Sequence, residues 1–181
     1  FKVKTRSSGV VAEVKFTPRD TFKRKDLFGS EEKKTIHQPN LDCTVTYDGR
    51  DYKGIGYCKR YWGDFPRYWS WRFLHAVSDD QSLAIMTADA TFGEVKYDYF
   101  QVVGLDGSHL SAEPDDSYHK ANTVYAMIGA SKYEISFTEI ARWETVLSSN
   151  AMEMLMCQRY CTMTMKKDGE TLASGVALNE F

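Results

Sequence analysis

Asp48-Gly49, Asp106-Gly107 and Asp168-Gly169 each lie between runs of alternating apolar and polar residues. Asp-Gly readily takes two successive left-handed conformations, which close a two-residue turn whose twist suits paired strands. These dipeptides therefore commit the chain to antiparallel hairpins. No segment sustains the 3.6-residue period of a long helix, and β-branched and aromatic residues recur in short alternating runs. Strands are expected near 2–6, 9–17, 41–48, 51–62, 67–77, 82–90, 96–104, 119–128, 132–138, 142–148, 152–165 (broken) and 170–179. So many strands exceed one open sheet, and a long meander removes its exposed edges by closing. The expectation is an all-β, antiparallel up-and-down meander closed into a β-barrel, one domain over 1–181. Segments 18–40 and 111–118 lack periodicity and read as loops over the barrel mouth.

The 181 residues, 43% hydrophobic and 14% aromatic, suffice for one real core. With 23 basic against 25 acidic residues and a formal charge of −2, a nucleic-acid binder working by counterion release is not expected. No apolar run approaches membrane-spanning length. The start at Phe1, without an initiator Met or an apolar secretory core, suggests processing or trimming of a longer chain. Cys43, Cys58, Cys157 and Cys161 show no zinc spacing. On a strand, Cys157 and Cys161 would stand ~13 Å apart, too far to bridge each other. Free thiols in a reducing compartment, cytoplasmic or plastid-like, are expected, with no metal and no organic cofactor.

The stretch "GYCKRYWGDFPRYWSWRFLHA", 56–76, is the chain's most concentrated aromatic segment. A period of two places Arg67, Trp69, Trp71, Phe73, His75 and Val77 on one strand face. On the strand before it, Cys58, Arg60 and Trp62 lie opposite Tyr57, Lys59 and Tyr61. Further on, Leu83, Ile85, Thr87 and Asp89 share a face. A carboxyl group in line with apolar neighbours loses hydration, which raises its pKa and suits a general acid; alternatively, Asp89 ends its strand and sits hydrated at a turn. Indole faces can hold a cation at ~0.5 to 2 kcal/mol each, or simply pack. Arg60 and Arg72 can orient charge but not shuttle protons. His75 and His37 are the nearby titratable bases, either functional or structural. Met152, Met154 and Met156, with Met163 and Met165, suit a soft ligand wall or a core. No Ser-His-Asp arrangement or nucleotide fingerprint is present.

The pattern "GYCKRYWGDFPRYWSWRFLHAV…SLAIMTAD" resembles the lipocalin-like superfamily of tocopherol cyclase, carotenoid 1,2-hydratase, kievitone hydratase and AttH-like proteins. Arg60-Tyr61-Trp62-Gly63, Phe65-Pro66 and Trp69-Ser70-Trp71 look like the cyclase feature KxWGxxFPxxWxW. The resemblance is clear over 41–90 and thin elsewhere. It implies a lipocalin-like β-barrel whose cavity takes an elongated isoprenoid or polyketide-like molecule. An acid then protonates an alkene, aromatic rings hold the cation, and water adds or a phenol hydroxyl closes the ring. On that likeness Asp89 is the proton donor and Arg60 an electrostatic orienter at the catalytic site, with Tyr61, Trp62, Trp69, Trp71, Arg72, Phe73, His75 and Thr87 about the substrate. Two positions depart from the pattern: hydratases carry His where Arg60 stands, and Tyr where Thr87 stands. Family members have two tandem β domains with the motif in the second, and little chain precedes Trp62 here, so the chain corresponds to the second half of that architecture. Three readings result: a cofactor-independent cyclase or hydratase of lyase or isomerase type, a non-catalytic carrier or sensor of lipophilic ligands, and an interaction module. The expected partner is a lipophilic small molecule; peripheral membrane contact, a missing partner domain and a homodimer are further candidates.

Overall fold

The computed structural model describes residues 2–7, 10–19, 23–63, 69–92, 95–112, 115–149 and 152–181. The chain divides into two compact units, Phe1–Gly63 with Leu105–Ser108, and Asp64–Gly104 with His109–Phe181. All regular structure among the described residues is antiparallel strand, and no helix long and apolar enough to cross a membrane occurs there.

The first unit is built around one long strand. β1 (Lys2–Ser7), β2 (Val10–Pro18), β3 (Arg24–Ser30), β4 (Lys33–Tyr47) and β5 (Arg50–Trp62) form a five-stranded sheet. β5 runs along one edge of β4, while β3 flanks its first part and β2 its second. The change of neighbour falls between Gln38 and Leu41, where the register shifts. Pro39 accounts for the break, since proline has no N–H to give to a ladder. Asp48 and Gly49, with φ of 48° and 73°, make the expected two-residue turn into β5.

Segment 18–40 is therefore largely a hairpin, turning at Glu31-Glu32, and not the loop expected from the sequence. Burial alternates strictly through Thr35, His37 and Pro39. The inward residues are polar or proline, so no apolar periodicity announces the strand.

The second unit comprises β6 (Trp69–Ser78), β7 (Leu83–Phe92), β8 (Val95–Gly104), β9 (His109–Ala112), β10 (Ser117–Lys120), β11 (Thr123–Ile128), β12 (Ser131–Ser149), β13 (Met152–Lys167) and β14 (Glu170–Glu180). Around the barrel the strands follow chain order, with β14 hydrogen-bonded back to β6. The seam falls between β9 and β10, and there β9 approaches β11 while β10 approaches β8. This is an up-and-down lipocalin-like barrel of the expected kind, nearly closed, but it is built from β6–β14 alone; the expected strands before residue 63 belong to the separate five-stranded sheet.

Local expectations change in five places. Of the described residues of 111–118, the four at 111–112 and 117–118 belong to β9 and β10. The run 119–128 bends at Ala121-Asn122, with Ala121 at φ 51°. The pair 132–138 and 142–148 is one strand carrying a bulge between Glu139 and Ala141, and β13 is unbroken. Asp168-Gly169 forms its two-residue turn, whereas Asp106-Gly107 lies in a longer connection, Leu105–Ser108. There the Asp106 carboxylate accepts the Ser108 backbone N–H at 2.9 Å and its hydroxyl at 2.6 Å.

Leu74, Ile85, Phe100, Ile135, Met163 and Met165 are among the side chains that fill the barrel interior. Met163 and Met165 are thus core, not ligand wall. On the opposite face of β6–β8, Phe73, His75, Met86 and Tyr99 are buried as well. Strands buried on both sides read as nearly continuous apolar runs, as "FLHAV" and "LAIM" do. All four cysteines are free thiols.

Candidate functional site

At one end of the barrel the inward faces turn from apolar to ionisable. Arg72 pairs with Asp89 across β6–β7, and Asp89 pairs with Asp98 across β7–β8. Directly paired residues share a face, with Cβ atoms ~5 Å apart. The next row inward is Leu74, Thr87 and Phe100. An arginine and two carboxyl groups therefore stand on an apolar floor.

His119 on β10 reaches this row from across the seam. Its Nε2 lies 3.0 Å from the Thr87 hydroxyl, and Arg72 Nη1 donates to the His119 carbonyl at 3.3 Å. Loss of hydration, reinforced by the Arg72 charge and opposed by Asp98, depresses the His119 pKa to about 4. The imidazole is neutral at neutral pH and can accept or donate one proton.

A second wall is built on Arg159. Its guanidinium donates to Asn179 Oδ1 from Nε at 3.1 Å and to Asn122 Oδ1 from Nη1 at 3.0 Å. It stacks on Phe181 and Phe137, with Cζ 4.7 and 5.5 Å from the ring centroids. Asn179 Nδ2 donates to the Phe73 carbonyl at 3.1 Å, tying the wall to β6.

Two recesses share Arg72, His119 and Phe181. One, of about 510 Å³, is lined also by Ser70, Trp71, Asp89 and Leu155; the other, of about 220 Å³, extends toward Asn122, Phe137 and Arg159. Together they make an open, partly apolar cleft. Trp71 is fixed at its rim, with Nε1 donating to Glu180 Oε1 at 3.0 Å while Gln158 Nε2 donates to Oε2 at 3.0 Å.

Of the residues singled out in the sequence, Asp89, Arg72, Thr87 and Trp71 come together here. Asp89 does not end its strand: β7 runs on to Phe92. It is half-buried on an open recess, neither in an enclosed cavity nor at a hydrated turn. Phe73 and His75 are buried on the face away from the barrel core and do not line the cleft. The side chain of Trp69, and residues 64–68 with Phe65 and Pro66, lie outside the described residues.

Arg60, Tyr61 and Trp62 end β5 in the first unit. Tyr61 meets His37 edge-on with centroids 6.1 Å apart, and Trp62 is 39% exposed with the Lys34 ammonium 5.7 Å from its ring. Asp98, His119, Arg159 and Asn179 were not anticipated. Alternation through Asp98, Phe100 and Val102 carried a signal for the first. Among the described residues, no group of three or more His, Cys, Asp or Glu could hold a metal ion.

Fold and cleft define an all-β, lipocalin-like protein with an ionisable barrel mouth. Among the solved structures that share the fold are two of low identity. One is a candidate AttH from Nitrosomonas europaea, with TM-score 0.56 and 16% identity over 99% of this chain and 63% of that one. The other is kievitone hydratase from Nectria haematococca, with TM-score 0.54 and 13% identity over 99% of this chain and 64% of that one. The chain thus spans less than two thirds of either neighbour, and identities this low establish fold alone. No family model matches, and no curated protein matches by sequence.

Proposed function

We propose that the chain binds an elongated, largely apolar small molecule at the open end of its nine-stranded barrel and catalyses acid-promoted hydration or cyclisation there. One observation carries this reading: Asp89, Arg72 and His119 converge on a recess walled by Trp71, Leu155 and Phe181. Asp89 is the acid that delivers a proton to an alkene carbon. The Trp71 and Phe181 rings face the resulting cation, each contact worth ~0.5 to 2 kcal/mol. Water or a substrate hydroxyl adds at the cationic carbon and gives its proton to neutral His119, held by Thr87. Return of that proton to Asp89 completes the turnover, and Arg72 orients an oxygen of the substrate. The hydratase name of one structural neighbour supports this class of reaction.

A carrier is the second reading. The filled barrel interior and the open cleft favour it, since neither excludes water from a reactive cation. Native mass spectrometry of protein from its own host would identify a retained lipophile, and turnover of that molecule in H2¹⁸O would separate the readings. Asp89→Asn is expected to lower turnover ~10²- to 10⁴-fold, the span of general acid–base contributions, with affinity retained. Unchanged turnover in that variant would remove Asp89 from the mechanism. Saturable binding without product would leave the carrier.

A further inference from the structure

The first unit holds a recess of its own, about 400 Å³, on one face of its sheet. It lies at the interruption in β4, flanked by Gln38 and Leu41. Cross-strand pairing puts Gln38 with Cys58 and Ile36 with Arg60, so Gln38, Cys58 and Arg60 share a face. The same rule brings Leu41 and Phe16 onto that face, through Leu41 with Gly56 and Phe16 with Cys43. A Cβ on Gly56 would stand 2.8 Å from the Phe16 ring. The glycine thus lets that ring lie against β5 as the apolar floor, beside Pro18 and Leu41.

The other end of the recess is rich in donors and has no acid. Gln38 Nε2 is a buried amide donor without a hydrogen-bond partner, an arrangement that costs stability unless an acceptor arrives. Arg60, also on the lining, has no ion-pair partner among the described residues. Nearby Lys25 and Lys34 are instead engaged by Glu31, at 2.7 and 3.5 Å.

We propose that this recess binds the carboxylate of an alkyl-chain acid, a fatty-acid-like molecule, independently of the barrel-mouth site. The Arg60 fork and the Gln38 amide donate to the two oxygens of a planar carboxylate, a geometry that guanidinium groups favour. The alkyl chain lies over Phe16, Pro18 and Leu41. A phosphate head would draw on more cations than Arg60; Glu31 already engages Lys25 and Lys34, and Lys59, which also lines the recess, sits on β5 at a position whose face alternates with that of Arg60. The volume falls within the ~300 to 1,000 Å³ usual for small-molecule pockets.

Isothermal titration of the whole chain with dodecanoate, dodecanol and dodecyl phosphate, each below its micellar range, tests the assignment. Dodecanoate should bind at one site and slow iodoacetamide labelling of Cys58, and dodecanol should bind far more weakly. Arg60→Met should weaken dodecanoate by about tenfold or more, as loss of a charged hydrogen-bond donor does, and Gln38→Leu should weaken it several-fold. Asp89→Asn should leave it unchanged. If Arg60→Met does not fold, Arg60→Lys replaces it and should give a smaller loss. Equal binding by Arg60→Met and Gln38→Leu, no binding by the wild type, or loss on Asp89→Asn would overturn the proposal. Tighter binding of dodecyl phosphate would overturn the carboxylate assignment.

Discussion

Acid should destabilise the first unit through His37. This side chain is 1% exposed and lies in a row across three strands, with Arg24 of β3 on one side and Lys59 of β5 on the other. Loss of hydration, then the charges of Lys59 and Arg24, push its pKa down to about 3. In the unfolded chain the same group titrates near ~6.5. The folded pKa is the lower one, so the unfolded state binds the proton first. The neutral histidine's contribution is complete above ~6.5 and is lost as the pH falls toward 3. At pH 5 the loss is about 2 kcal/mol, from ~1.4 kcal/mol per pH unit over 1.5 units. Urea denaturation at pH 7.5, 6.0 and 5.0, followed by hydrogen exchange of β4 and β5 peptides, reads it directly. His37→Gln removes the titrating group, and its pH slope between 6.5 and 4.5 should be shallower by ~1.3 kcal/mol per unit. Carboxylates such as Glu31 and Asp80, and His119 in the other unit, titrate in both proteins and cancel in the comparison. Identical slopes in the two proteins would refute the buried, neutral state of His37.

Gly175→Ala should be among the costly substitutions in the barrel. Its Cβ would stand 2.0 Å from the Val77 carbonyl oxygen, at the β14–β6 closure, and overpacking of that kind costs ~1 to 3 kcal/mol. A thermal melt compared with Gly54→Ala, which meets nothing within 4 Å, isolates the clash; equal midpoints would mean that the closure yields. Arg159→Met should cost ~1 to 3 kcal/mol by leaving the Asn179 and Asn122 carbonyl oxygens without their donor. Chemical denaturation measures that loss, and an unchanged midpoint would show that solvent replaces the guanidinium.

What could be read from sequence was decided by how far apart the cooperating residues lie. Asp48-Gly49 and Asp168-Gly169 are local instructions, and both turns form as written. β12 looked like two strands because the bulge at Glu139–Ala141 shifts the phase of an otherwise continuous alternation. β4 was hidden for a different reason, its inward residues being Thr35, His37 and Pro39. In the cleft, period-two reasoning put Thr87 and Asp89 on one face, and Arg72, noted in the sequence for its charge, sits on the adjacent strand joined by a short connection. His119 escaped because its bond to Thr87 spans 32 residues, and that to Arg72 spans 47. No local pattern encodes which strand will lie across a barrel seam.

The aromatic stretch 56–76 shows why a motif can report a fold more faithfully than an activity. Its 21 positions straddle the boundary at Gly63, so Arg60 and Trp62 belong to one packed unit, and Trp71 and Arg72 to the other. Each arginine lines a recess of comparable size, but the chemistry available to each differs. The residues lining the Arg60 recess include no carboxylate and no imidazole, so it can hold an anion but has no carboxyl or imidazole to exchange protons with one. The Arg72 recess adds Asp89 and His119, which can give and take protons. Charge alone is common to both, and it is the part of the motif that the sequence displays most plainly. Proton transfer as proposed would draw on Asp89, thirteen residues beyond the stretch, and on His119, which only the closing of the barrel brings to Thr87 and Arg72.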